Sequence, residues 1–324
     1  MTKPKVFITR KIFQEALDRI DHVADMEVWP DEFPPPYEIL AEKTSRAEGI
    51  LSMLSDKIDS NLIEKSPGLK VISSMAVGYD NIDVAAATRH NIRVGFTPGV
   101  LTETTADLIF ALIMAAARRV VEADRYVRDG KWKTWTPMGL LGQDIHHATL
   151  GIIGLGRIGM EVARRAHGFS MKILYYSRTR KSPGEEKRLG LEYVDRMAEL
   201  LSRSDFISLH VPLTKETRHL IGAEEFTVMK PTAIFVNASR GLVVDQRALY
   251  EALKNRKILC AALDVTEVEP IPMNDPLLTL DNFIITPHIG SASVLTRKKM
   301  AQMAVDNLLA GLRGEPLPNC VNPA

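Results

Sequence analysis

Three stretches in the second half of the chain set an arginine, a glutamate and a histidine just beyond short apolar runs. They are Ile234-Phe235-Val236-Asn237-Ala238-Ser239-Arg240-Gly241, Ala262-Leu263-Asp264-Val265 leading into Thr266-Glu267-Val268-Glu269-Pro270, and Ile284-Ile285-Thr286-Pro287-His288-Ile289-Gly290-Ser291. Such runs read as strands, and ligands of open α/β sheets bind beyond the carboxyl ends of strands. A guanidinium, a carboxylate and an imidazole converging there suit a reaction that binds a carboxylate and moves a proton. Taken singly, each is as well explained as a surface arginine, a solvated loop acid and a structural histidine. Their recurrence at three consecutive strand ends argues for a site. His210 also ends an apolar run and is the main rival histidine. His146, His147 and His167 have no partners at ligand spacing, so they are expected on the surface and no metal is expected.

A cofactor site precedes these segments. Leu150 to Gly159 reads L-G-I-I-G-L-G-R-I-G, a short apolar run feeding a G-x-G-x-x-G, and Met160-Glu161-Val162-Ala163-Arg164-Arg165-Ala166 continues as a helix. Strand, glycine turn and helix N-terminus in that order present bare N–H groups and a helix dipole to a pyrophosphate. Gly154 permits the tight turn, Gly156 the approach of the cofactor and Gly159 the packing of helix on strand, with Leu155, Arg157 and Ile158 lining the same turn. The next strand, Met171 to Tyr176, is followed by Ser177-Arg178-Thr179-Arg180-Lys181. An NAD site usually offers a carboxylate to the ribose about 20 residues beyond the glycines. Here two arginines and two hydroxyls stand instead and favour the 2'-phosphate of NADP(H), with NAD(H) bound more weakly. A solvated basic turn is the plain alternative.

The elements that must carry these residues alternate along the chain. Val6 to Thr9, Gly49 to Met53, Val71 to Met75 and Ile92 to Phe96 form one strand series. Thr149 to Ile153, Lys172 to Tyr176, Glu192 to Val194, Phe206 to Val211, Ala233 to Asn237, Cys260 to Val265 and Phe283 to Thr286 form another. Helical segments lie between, so two doubly wound parallel sheets are expected. Thr102 to Val121 reads as one long buried helix, and a second runs from after Ile289 to Leu312. The expected division is 1–101 with 290–324 as a flavodoxin-like substrate domain, and 102–289 as an inserted Rossmann domain.

A chain of 324 residues, 45% hydrophobic, can bury two cores. Its 41 Lys and Arg against 40 Asp and Glu leave a net charge of +1, so no nucleic-acid footprint is expected. Cys260 and Cys320 lack the spacing of a metal site or disulfide framework. The start has no signal-like apolar region and no run reaches the roughly 18 residues of a membrane span. A reducing cytoplasm is the expected location.

N-A-S-R-G-L-V-V-D, A-L-D-V-T-E-V-E-P and T-P-H-I-G-S-A-S are very similar to the signatures of the D-isomer-specific 2-hydroxyacid dehydrogenases. The resemblance runs through Val77-Gly78-Tyr79-Asp80-Asn81-Ile82-Asp83 to Asn319-Cys320-Val321-Asn322-Pro323. Within that family the chain most resembles glyoxylate/hydroxypyruvate reductases, whose bacterial members often also reduce 2-ketogluconate. The resemblance implies that Arg240 binds the substrate carboxylate, His288 is the general acid/base and Glu269 orients the imidazole. It implies cofactor contacts at Val211, Pro212, Thr217, Ala238, Ser239 and Gly290, with no proton-transfer role for His210. Asp264 either holds the nicotinamide carboxamide or caps the local turn. Met53, Leu54 and the backbone of Ala76, Val77 and Gly78 are implied around the substrate, with simple strand-end packing as the alternative.

A homodimer is also implied, with helix 102–121 and the following arm in its interface. Eukaryotic members carry a tryptophan from the partner subunit that narrows the pocket. Here the aligned position, within Trp135-Thr136-Pro137-Met138-Gly139-Leu140, is Gly139, which leaves room for a longer substrate tail. The expected activity is NADPH-dependent reduction of short 2-keto acids. The rivals are an NAD-linked D-2-hydroxyacid or phosphoglycerate dehydrogenase, disfavoured by the missing acid after Tyr176, and a cofactor-sensing corepressor-like binding protein.

Overall fold

Strands that are apolar on both faces need cover on both sides, and the chain provides it twice with parallel sheets flanked by helices. The computed structural model describes residues 2–323. The first sheet comprises β1 (Lys5–Ile8), β2 (Asp25–Val28), β3 (Gly49–Ser52), β4 (Val71–Ser74) and β5 (Arg93–Gly95), in the order β2-β1-β3-β4-β5. β3 and β4 are buried along their whole length. Around them run α1 (Gln14–Asp21), α2 (Tyr37–Ser45), α3 (Ser60–Glu64) and α4 (Val84–Arg89). β2 is absent from the strands read in the sequence because it is a half-buried edge: Asp-Met-Glu-Val alternates charge with apolar bulk and forms no apolar run.

The second sheet holds β6 (Thr149–Ile153), β7 (Lys172–Tyr176), β8 (Leu191–Tyr193), β9 (Phe206–Leu209), β10 (Ile234–Asn237), β11 (Cys260–Leu263) and β12 (Phe283–Ile285). Its order is β12-β11-β10-β9-β6-β7-β8, and every described pairing is parallel. The order reverses between β6 and β9, which opens a crevice at the carboxyl end of β6. The helices of this part are α5 (Thr102–Ala117), α6 (Val120–Arg128), α7 (Arg157–His167), α8 (Pro183–Arg188), α9 (Met197–Arg203), α10 (Ala223–Val228) and α11 (Gln246–Lys254).

The chain divides into one unit of Met1–Leu101 with Ala292–Ala324 and another of Thr102–Ser291. The second unit is thus inserted between two pieces of the first. The long α12 (Val294–Leu312) returns to the first sheet, where the Ser73 hydroxyl donates to the Ala304 carbonyl at 2.7 Å.

The single helix expected over Thr102 to Val121 is two. α5 ends at Ala117, and Arg119 adopts left-handed backbone geometry with φ of 53° before α6 begins. Arg119 forks onto Glu122 at 2.8 and 2.7 Å, a pairing that helps hold the corner. Apolar residues stand on both sides of this corner, Ala115, Ala116 and Ala117 before it and Val120 and Val121 after, so the sequence shows no break there.

Candidate active site

The glycine turn after β6 sits at the crevice. Gly154 has φ of 93°, and a Cβ there would lie 3.0 Å from the His210 backbone. A Cβ on Gly159 would run into the Gly154 carbonyl, whereas Gly156 has open space on its Cβ side. The first and third glycines therefore close the turn against β9 and α7, and the second leaves its backbone approachable. These residues fit a dinucleotide pyrophosphate at the α7 N-terminus.

Tyr176 ends β7, and Arg178, Thr179 and Arg180 follow it exposed, with Ser177 half-buried. No carboxylate occupies the position that would meet a ribose 2'-hydroxyl. The two arginines differ, however. Arg180 is already engaged by Glu186, at 2.9 Å to each carboxylate oxygen, while Arg178 is in no described ion pair.

β10, β11 and β12 are adjacent and in register, Asn237 opposite Leu263 and Leu263 opposite Ile285. Their following loops therefore emerge from one edge. The buried Asn237 fixes the first loop: its Oδ1 accepts from Ser239 N at 2.9 Å and its Nδ2 donates to the Arg240 carbonyl at 2.9 Å. Gly241 packs so tightly on the Thr266–Glu267 backbone that a Cβ would overlap it. Arg240 Nη1 donates to the Ser239 carbonyl at 2.8 Å, which holds the stem of the guanidinium against its own loop.

The second loop is tied to α11, where Gln246 and Glu267 exchange hydrogen bonds of 3.0 and 3.0 Å. Glu269 Oε1 accepts from Thr266 N at 3.2 Å, leaving Oε2 for His288. The His288 Nδ1–H donates to that oxygen at 2.7 Å. A carboxylate can only accept, so the contact fixes the tautomer and leaves Nε2 as the working nitrogen. His288 stands at φ of 53°, a left-handed position held by its own N–H, which bonds the Asp264 and Thr286 carbonyls at 3.0 and 3.0 Å.

Within the chain, Asp264 caps the local turn. Its buried carboxylate accepts from Thr286 Oγ1 at 2.6 Å, Ile289 N at 2.8 Å and Gly290 N at 2.8 Å. Burial pushes its pKa upward, and these donors oppose the shift. It acts as a latch on the loop that carries His288. Sequence reading missed Asn237, Thr266 and Thr286 in these positioning roles. The available signal was polar residues at the last or next position of an apolar run.

His210 follows β9 with its ring nitrogen 2.8 Å from Ser208 Oγ, and burial pushes its imidazole down to about 3. It is held neutral at ordinary pH. Thr217 Oγ1 donates to the Pro212 carbonyl at 2.6 Å and accepts from Thr214 N, so this hydroxyl shapes the loop carrying Val211 and Pro212. In the first unit, Met53 and Leu54 follow β3 while Ala76, Val77 and Gly78 follow β4. Met53 N donates to the buried Asp56 at 2.7 Å, and the Ala76 carbonyl accepts from Thr97 N at 2.8 Å. His146, His147 and His167, read as surface residues, are exposed, and among the described residues no group of three or more His, Cys, Asp or Glu side chains is placed to hold a metal ion.

The family model for the D-isomer specific 2-hydroxyacid dehydrogenase NAD binding domain matches residues 110–290. The chain is 56% identical over 321 residues to a glyoxylate reductase from Korarchaeum cryptofilum, covering 99% of this chain and 96% of that one. A solved structure of a Thermus thermophilus protein matches with a TM-score of 0.92 and 45% identity, covering 98% of this chain and 100% of that one. An NADPH-dependent glyoxylate/hydroxypyruvate reductase from Sinorhizobium meliloti, solved with NADP and malonate, matches with a TM-score of 0.85 and 30% identity, covering 99% and 97%. Two parallel sheets, a dinucleotide turn at the switch point and a match over more than half the chain make this protein a member of the D-isomer specific 2-hydroxyacid dehydrogenase family.

Proposed function

We propose that this protein reduces short 2-keto acids to D-2-hydroxy acids with NADPH, glyoxylate first, with hydroxypyruvate and 2-ketogluconate as further substrates. The observation that carries the reading is the His288–Glu269 contact of 2.7 Å on the loops beside Arg240, in a chain 56% identical to a glyoxylate reductase. The nicotinamide of the cofactor supplies the hydride. Arg240 forks onto the keto acid's carboxylate and fixes which face of C2 is presented. His288 Nε2 gives a proton to the carbonyl oxygen as negative charge develops there. Glu269 holds the ring in place through the Nδ1 contact. Met53, Leu54 and the backbone of Ala76, Val77 and Gly78 are further substrate contacts in this reading.

The cofactor is NADP(H), with NAD(H) weaker, because the β7 end offers arginines and no acid. The pyrophosphate is assigned to Gly154, Leu155, Gly156, Arg157, Ile158 and Gly159, and the 2'-phosphate to Ser177, Arg178, Thr179 and Arg180. Val211, Pro212, Thr217, Ala238, Ser239, Asp264 and Gly290 are assigned to the remainder, with Arg240 and His288 beside the nicotinamide. A homodimer is favoured by large apolar side chains left exposed in one stretch of chain, among them Val120, Val127, Trp132, Trp135 and Met138.

The test is an assay of the purified protein with each keto acid and each cofactor. Oxidation of NADPH on adding glyoxylate, faster than oxidation of NADH, is the expected result. Turnover of neither cofactor with any of the three acids contradicts the proposal.

A further inference from the structure

Arg180 is more than half exposed, yet Glu186 takes one edge of its guanidinium: Nε donates to Oε1 at 2.9 Å and Nη2 to Oε2 at 2.9 Å. Glu186 lies on α8 and is buried. The Tyr175 hydroxyl, from the buried interior of β7, donates to Glu186 Oε1 at 2.6 Å and accepts from Lys181 N at 2.8 Å. The Arg180 guanidinium also stacks 4.9 Å above the Tyr193 ring. Loop 177–181 is therefore pinned at its far end by groups that belong to the strand and helix beneath it.

A guanidinium has two edges that can fork onto an anion. Glu186 holds the Nε/Nη2 edge, and the other three N–H bonds have no partner among the described residues. We propose that Glu186, seated by Tyr175, is a positioning residue that presents the free edge of Arg180 to a 2'-phosphate. Discrimination between phosphorylated and unphosphorylated dinucleotides is then partly set from behind the arginine. This rests on the NADPH-preferring reading above.

Glu186 also brings a negative charge near the phosphate, which opposes the effect. The carboxylate lies on the far edge of the guanidinium, and water around the exposed arginine screens its field. Ordering a rotamer-rich arginine in advance removes a cost that binding otherwise bears. Positioning wins. Arg180 first and Tyr175 second hold the Glu186 carboxyl down to about 2, so the pair stays intact across the neutral range.

The experiment is calorimetric titration of NADPH and NADH into wild type, Glu186→Gln, Tyr175→Phe, Arg180→Ala and the Glu186→Gln/Arg180→Ala double variant. Wild type is expected to bind NADPH more tightly than NADH. Glu186→Gln should weaken NADPH roughly two- to tenfold with NADH unchanged. Tyr175→Phe should do the same to a smaller degree, and Glu186→Gln should add nothing once Arg180 is alanine. An NADPH/NADH ratio that Glu186→Gln leaves unmoved or raises overturns the proposal, as does a loss that persists without Arg180. A wild type that binds both cofactors equally overturns the cofactor reading and this proposal with it.

Discussion

The placement of Arg240, Glu269 and His288 on loops just beyond three neighbouring strands is legible in the sequence because each follows a short apolar run. The residues that aim them are not. Asn237 and Asp264 sit at the same strand ends, but an isolated Asn or Asp there is equally a turn former, and only the hydrogen bonds separate the uses. Glu186 carries no signal at all in Pro-Gly-Glu-Glu-Lys-Arg, since its partners lie on β7 and in the loop before it. A direct test at this scale is Arg240→Lys, which keeps the charge but loses the planar fork. The expected result is a raised KM and lowered kcat for glyoxylate, with kcat/KM down roughly 10- to 100-fold and NADPH affinity unchanged. Wild-type kinetics would assign the carboxylate to another residue.

Strands are readable to within a residue or two where both faces are buried, as in β6 and β7, and unreadable at the edge strand β2. The corner between α5 and α6 is hidden because Arg119 is no helix breaker by type; its left-handed backbone is a tertiary outcome. The arm beyond α6 is exposed throughout 131–139. A Cβ on Gly139 would meet the Thr136 hydroxyl, which must rotate away for any larger residue to fit. If this arm borders the substrate of a partner subunit, Gly139→Trp should lower kcat/KM for 2-ketogluconate at least tenfold more than for glyoxylate, on the order of the discrimination a filled pocket supplies. Equal losses for both substrates, or no 2-ketogluconate turnover in wild type, would leave the arm without a role in substrate size.

On the scale of the whole molecule, two parallel sheets follow from strand and helix alternation, and the insertion of one unit into the other follows from α12 returning to the first sheet. No helix among the described residues is long and apolar enough to cross a membrane. Stability should carry the mark of His210. Its folded pKa of about 3 lies below the ordinary histidine value, so the unfolded chain binds the extra proton as pH falls. Its contribution is complete above about pH 6.5 and is lost progressively toward about pH 3, with a slope of at most about 1.4 kcal/mol per pH unit. Denaturation midpoints measured across that range should fall less steeply in His210→Gln than in wild type; parallel slopes would mean another group controls the acid limb. The central claim, that His288 supplies the proton for keto-acid reduction, is tested most directly by the glyoxylate-dependent kcat of His288→Gln at saturating NADPH, with NADPH affinity measured by titration alongside. The account predicts a kcat lowered by roughly 10² to 10⁴ with cofactor affinity intact. Turnover equal to wild type would contradict it.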